Sequence, residues 1–280
     1  AHYAYLQQAC EDAGVEALGY LPKDDRIVIP SRHLGLSIDE SFCFDAFADR
    51  VAGVVDKTVN VDRLLELCTV DFPVYEEKMT DVSEKTRIAI ARDEAFNFMY
   101  RENIEALRRE GKVVFFSPLR DEVLPEADFL YLPGGYPELY LSELSANEKM
   151  RSAIREYCEA GGHVLAECGG MMYLCDSITG NDSKEYPMVG VLKQRATMEQ
   201  MKLKLGYREV RFEDQVVRGH EFHYSRVLPG DHPLSTIGKV YNAKGIEVDT
   251  LIFTYKNVLA SYIHFYWGEI GIGYFREKVK

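Results

Sequence analysis

The six cysteines of this chain (Cys10, Cys43, Cys68, Cys158, Cys168 and Cys175) include no C-x-x-C pair. That spacing argues against a cysteine-built zinc or redox site, and so few cysteines in so long a chain make no disulfide scaffold. No apolar run approaches the ~20 residues of a membrane span, and there is no secretory leader pattern. The phosphate-cradling pattern G-x-x-x-x-G-K-[ST] is absent. Positive charge is also scarce: 33 Lys+Arg stand against 45 Asp+Glu, a formal charge of −12, which argues against a nucleic-acid partner. The deficit is uneven. Residues 1–85 hold 8 basic and 17 acidic residues, residues 86–280 hold 25 and 28, a first sign of two parts. The expectation is a cytoplasmic protein with mostly reduced, buried thiols, no metal and no membrane partner.

What is present is globular: 46% hydrophobic and 28% charged residues over 280 positions, ample for a core. The chain opens on Ala1 rather than Met and is already helical in pattern over 4–10. Gly14 reads as a helix stop before a strand over 15–21. Such a start, inside an α/β unit, reads as a piece of a longer protein. Apolar residues at helical spacing predict a helical stretch over 39–68, and the charged run around Pro73 to Thr86 reads as a linker. The second part alternates strands (87–91, 113–116, 129–132, 163–167) with helices (100–110, 147–160). That order predicts a mostly parallel sheet covered on both faces. Alternating strands follow over 189–224, and a late one over 261–265.

The chemistry concentrates at Ala166-Glu167-Cys168-Gly169-Gly170. An apolar strand runs into a cysteine, two glycines and an apolar helix, the pattern of a nucleophile elbow. The small neighbours suit a strained turn, and a helix N-terminus favours thiolate. The Gly169 N–H would face a developing oxyanion, with Gly135, from the loop after the third strand, as second donor. A cysteine nucleophile needs a base. His264, ending a strand well downstream of Cys168, is the choice, with His220 and His223 the nearest competitors. His220-Glu221-Phe222-His223 is one residue short of H-E-x-x-H, and on a strand its histidines face opposite sides. The orienting carboxylate expected two residues after the histidine is absent, since that position is Tyr266.

At these residues the sequence resembles the cobyrinate a,c-diamide synthase family, amide-forming ligases of cobalamin biosynthesis. The resemblance runs through Ile29-Pro30-Ser31-Arg32-His33-Leu34-Gly35-Leu36, Ile88-Ala89-Ile90-Ala91-Arg92-Asp93-Glu94-Ala95-Phe96-Asn97-Phe98 and Leu132-Pro133-Gly134-Gly135-Tyr136-Pro137-Glu138. It continues through the Cys168 segment, Gly219-His220-Glu221-Phe222-His223-Tyr224-Ser225 and Ala260-Ser261-Tyr262-Ile263-His264, covering nearly the whole chain. It implies a flavodoxin-like class I glutamine amidotransferase domain over 86–280, with Cys168 as nucleophile and His264 as general base. The family is similar in lacking a glutamate after the histidine, and Tyr266 stands where relatives often carry a second histidine. Residues 1–85 then look like the C-terminal tail of a P-loop-type synthetase domain, plus linker.

The implied reaction phosphorylates the a and c carboxylates of cobyrinate with ATP and Mg2+, held by a synthetase domain missing from this chain. It then aminates them with ammonia from glutamine. The resemblance also places Tyr136, Arg32 and His33 near substrate, against the plainer reading of Arg32 and His33 as a loop-anchoring pair. It leaves a homodimer open as the assembly. This chain itself would need no cofactor: it would release ammonia without using it. Competing readings are a related amidotransferase acting on another acid (cobyric acid synthase or nickel-sirohydrochlorin diamide synthase), a non-catalytic binding module and a dienelactone-type cysteine hydrolase. The G-H-E-F-H-Y-S run favours the diamide type over cobyric acid synthase.

Overall fold

The computed structural model describes residues 2–29, 31–32, 35–36, 42–71, 86–213, 215–230, 233–267 and 273–275, with backbone alone at 31–32 and 35–36. The chain separates into two compact units, Ala1–Lys78 and Met79–Lys280.

The first unit holds helix α1 (His2–Asp12), a short hairpin of β1 (Ser31–Arg32) and β2 (Gly35–Leu36), and helices α2 (Phe44–Thr58) and α3 (Val61–Cys68). The helical stretch expected over 39–68 is thus two helices. They break at Asn60, whose side chain caps α3 by accepting from the Arg63 N–H at 3.0 Å. The strand expected over 15–21 does not form; only Gly19 makes an isolated bridge, to Val59. Around that bridge the Tyr20 N–H donates to the Thr58 carbonyl at 3.2 Å and the Asn60 N–H to the Leu18 carbonyl at 2.7 Å, too short a pairing for a strand, and Val15 and Leu21 stay 59% and 61% exposed. No residue of α1, α2 or α3 is fully buried. The linker expected over 73–86 falls, up to residue 85, outside the described residues.

The second unit is built on strand–helix alternation. Its first half runs β3 (Arg87–Ala91), α4 (Arg101–Glu110), β4 (Lys112–Phe116), β5 (Phe129–Leu132), α5 (Leu141–Ala146), α6 (Glu148–Glu159), β6 (His163–Glu167) and α7 (Gly169–Leu174). Then come β7 (Cys175–Thr179), β8 (Glu185–Pro187), β9 (Leu192–Thr197), β10 (Lys204–Arg211), β11 (Val216–His223), β12 (Arg226–Leu228), β13 (Ser235–Thr236), β14 (Lys239–Asn242), β15 (Ile252–Tyr255), β16 (Val258–Ser261) and β17 (Ile263–Tyr266). The central sheet has the order β13-β15-β16-β6-β5-β3-β4, parallel from β16 to β4. Two four-stranded sheets flank it, β14-β10-β11-β17 and β12-β9-β7-β8.

Strand alternation sends successive side chains to opposite faces, so the parallel strands feed two cores. Ala89, Leu130, Val164 and Ala166 pack on one face with Met150, Ile154 and Cys158 of α6. Ile88, Phe129, Tyr131 and Leu165 pack on the other with Ile104 and Leu107 of α4 and Val210, Val217 and Phe265 of the β10–β17 sheet. Both faces are therefore covered, as the element order demands.

The late strand expected over 261–265 is two strands in two sheets. β16 pairs with β6 in the central sheet. After a break at Tyr262 the chain joins β11 antiparallel as β17. That switch moves His264 out of the central sheet and sets it opposite His220.

Candidate active site

Cys168 stands between β6 and α7 with φ 46° and ψ −104°, a region that costs a non-glycine residue on the order of 1–3 kcal/mol. Two backbone bonds hold it there. Its N–H donates to the Ser261 carbonyl at 2.7 Å, and its carbonyl accepts from the Met172 N–H at 3.0 Å to start α7. The elbow is thereby tied to the end of β16, three residues before His264.

The 134–136 loop reaches the elbow from the end of β5. It is pinned by the Phe98 N–H on the Gly134 carbonyl at 3.0 Å and by the Tyr136 N–H on the Ala95 carbonyl at 2.9 Å. Gly169 packs so closely against it that a Cβ there would lie 3.1 Å from Gly135 N. The two residues expected to supply oxyanion donors are thus neighbours in space. Tyr136 is half-buried beside them, its own N–H spent on Ala95.

His264 is 4% exposed and boxed by rings. Phe98 meets it edge-on at 4.5 Å between centroids, and His220 stacks on it at 4.8 Å and 15°. A Cβ on Gly134 would fall 2.1 Å from His264 Cε1, so only glycine fits there. His220 is held in turn by its Nδ1, 2.6 Å from the Tyr100 hydroxyl. Burial first, and then the neighbouring histidines, push the His264 pKa down to about 3. The imidazole is therefore neutral at pH 7. No carboxylate among the described residues hydrogen-bonds it, and its Nδ1 is buried without a partner.

One expectation is reversed. The thiol of Cys168 is raised above its ordinary pKa, chiefly by burial, with the charge of Glu138 adding to it and the Gly169 N–H opposing it. The helix that follows has only six residues, too short a dipole to outweigh desolvation. The thiol is held as S–H and donates weakly to the Phe222 carbonyl at 4.0 Å.

Around this core lie groups that sequence reasoning left unassigned. Glu221 is fully buried and accepts from Arg208 Nε at 2.7 Å and Thr250 Oγ1 at 2.8 Å, with His223 Nε2 at 2.8 Å. Burial alone would raise it, but these three bonds outweigh that and hold its pKa near 2. His223 stacks face to face on Tyr262 at 3.5 Å, while His220 turns to Tyr100, so the two histidines of the run serve different neighbours. Glu167, also buried, accepts from the Tyr131 hydroxyl at 2.7 Å and the Phe265 N–H at 3.1 Å; burial raises its pKa to about 8. In the sequence Phe98 closes a segment of the resemblance and Tyr100 opens a predicted helix, and nothing there puts either beside a histidine.

Cys168, Gly169, Gly135 and His264 thus meet in one place, with Tyr136 at its edge. The Arg32 side chain and all of His33 lie outside the described residues. Among those described, no three His, Cys, Asp or Glu side chains are grouped to hold a metal, and no helix is long and apolar enough to cross a membrane.

Fold and site together define an α/β domain with a strained cysteine at the carboxyl end of a parallel strand, beside a glycine loop whose Gly134 packs against a buried histidine. Residues 87–270 match the CobB/CobQ-like glutamine amidotransferase domain, and the chain belongs to that family. The chain is 38% identical over 294 residues to the cobyrinate a,c-diamide synthase of Caldanaerobacter subterraneus, covering 100% of this chain and 63% of that protein. It is 38% identical over 259 residues to the hydrogenobyrinate a,c-diamide synthase of Pseudomonas aeruginosa, covering 92% and 58%. The chain therefore spans about three-fifths of the length of these curated relatives. Among solved structures it is similar to PurLQS from Thermotoga maritima, with a TM-score of 0.45, 16% identity, and 66% and 88% of the two chains covered.

Proposed function

We propose that residues 86–280 hydrolyse glutamine to glutamate and ammonia, and that the ammonia serves ATP-dependent amidation of the a and c carboxylates of a cobyrinate-type acid. The carrying observation is the meeting of Cys168, at φ 46°, with Gly135, Gly169 and a neutral, buried His264. His264 takes the thiol proton as Sγ attacks the glutamine amide carbon. The N–H groups of Gly135 and Gly169 receive the oxyanion. His264 returns the proton to the departing nitrogen, releasing ammonia and leaving a thioester. It then draws a proton from water, whose oxygen displaces the Cys168 thiol and yields glutamate.

The names of the relatives support a corrin acid as the final acceptor. We assign ATP and Mg2+ to the remainder of the longer protein, of which residues 1–85 are the adjoining tail. The apolar side chains left exposed there, Leu6, Phe44, Leu65 and Val70 among them, fit a fragment that packs against more chain. A cytoplasmic site of action goes with the free thiols.

The test is Cys168→Ala. It should abolish glutaminase activity, while added ammonia still supports amidation in the longer protein. Full glutaminase activity in that variant rejects the assignment.

A further inference from the structure

His264 sits on β17, the edge strand of its sheet, paired among the described residues only with β11. An edge strand leaves alternate backbone N–H and C=O groups unpaired on its free side. Where such groups are buried they must find partners or cost stability. In β17 and just beyond it, two side chains meet that need. Glu167 accepts the Phe265 N–H at 3.1 Å. Asn103 Nδ2 donates to the Phe265 carbonyl at 2.7 Å, and its Oδ1 accepts the Trp267 N–H at 3.0 Å. The Asn103 amide thus stands in for a peptide of the strand that is not there. Both residues are buried, at 0% and 1% exposure, and Glu167 is itself braced by the Tyr131 hydroxyl.

We propose that Glu167 and Asn103 are positioning residues for glutamine hydrolysis, holding the strand of His264 in register with Cys168. Glu167 is covalently bonded to Cys168, and Phe265 to His264. One hydrogen bond between the Glu167 carboxyl and the Phe265 amide therefore joins the two reacting residues through their immediate neighbours. No side-chain carboxylate orients the imidazole among the described residues, so its place is set by ring packing and by the placement of its strand. An error of about 1 Å in such a placement costs roughly 100-fold in rate. This inference rests on the glutaminase reading above.

The experiment compares Glu167→Leu, Glu167→Gln, Asn103→Leu and Asn103→Asp in the full 280-residue chain. It reads kcat and KM for glutamine hydrolysis and the melting temperature. Glu167→Leu removes the acceptor while keeping volume, and should lower kcat about 100-fold with KM changed by less than about threefold. Glu167→Gln keeps an acceptor for Phe265 and should recover kcat to within about fivefold of wild type. Asn103→Leu should behave like Glu167→Leu. Asn103→Asp, which keeps the bond to Trp267 but sets an oxygen against the Phe265 carbonyl, should cost about tenfold in kcat.

The proposal is overturned if Glu167→Leu or Asn103→Leu keeps wild-type kcat, or if Glu167→Gln is as damaged as Glu167→Leu. Should both leucine variants fail to fold, Glu167→Gln and Asn103→Asp decide: a wild-type kcat in Asn103→Asp overturns the proposal. Wild-type chain that does not hydrolyse glutamine, or Cys168→Ala that does, rejects the underlying reading instead.

Discussion

His220 and His264 face each other across the β11–β17 pair and stack, with ring centroids 4.8 Å apart and planes 15° from parallel. Tyr100 fixes the outer ring through its hydroxyl, so the inner imidazole is steadied by a wall that is itself hydrogen-bonded. Removing the wall in His220→Ala should lower kcat for glutamine hydrolysis by about tenfold with little change in KM, because the loss concerns orientation of the base. Tyr100→Phe removes one hydrogen bond worth about 1 kcal/mol and should give a smaller fall. Steady-state kinetics on both variants check the order.

Gly134 offers a second, purely steric probe. A methyl group there would overlap the His264 ring at Cε1, and the loop is fixed on its other side by Phe98. Gly134→Ala should therefore displace the imidazole and lower kcat by about 100-fold, with the secondary structure seen by circular dichroism retained. Wild-type kinetics in that variant would show that the ring is free to move aside.

Stability against pH should show two opposed buried groups. His264 titrates near 3 in the folded chain against an ordinary 6.5. Between those values the unfolded chain binds a proton that the folded chain refuses, so its contribution is lost as pH falls. Glu167 titrates near 8 against an ordinary 4.5. Between those values the folded chain keeps a proton that the unfolded chain has shed, so its contribution is lost as pH rises. From pH 4.5 to 6.5 the two slopes oppose each other, and the wild type should be nearly flat with respect to this pair. Glu167→Gln should unmask a fall in stability below pH 6.5, and His264→Gln a steady fall from pH 4.5 to 8. Urea denaturation across that range reads both slopes.

The Arg208–Glu221 pair gives the G-H-E-F-H-Y-S run a structural role. The Glu221 side chain is 1% exposed and that of Arg208 10%. Arg208→Met strips a buried carboxylate of one donor, a change that costs about 3 kcal/mol or more. Adding Glu221→Leu should recover part of that loss, because the uncompensated charge goes with it. Chemical denaturation of the single and double variants measures the difference.

The sequence made the parallel strands, α4, α6 and the elbow legible because each follows a local rule: apolar runs of strand length, apolar residues four apart, a glycine after a helix. Cys168 and the glycine loop were legible for the same reason. Other features were not, because they depend on where distant segments land. The strand over 15–21 had the right composition but, among the described residues, pairs only around Gly19, with residues 58–60. Tyr262 breaks what reads as one strand, and no local signal marks a switch between sheets. The thiolate-favouring helix was correctly placed, yet burial decides the Cys168 pKa, and burial is a property of the whole domain. Glu167, Asn103, Phe98 and His220 reach His264 only through pairings across more than 40 residues of chain.

The most direct measurement is to treat the 280-residue chain with an electrophilic glutamine analogue and map the adduct by mass spectrometry. Cys158 and Cys175 are more deeply buried than Cys168, and burial raises both their thiols to about 12. Neither lies on a glutamine site in this account. The account predicts one adduct, on Cys168, blocked by excess glutamine and lost in Cys168→Ala. An adduct on another cysteine, or none while the chain still hydrolyses glutamine, would contradict it.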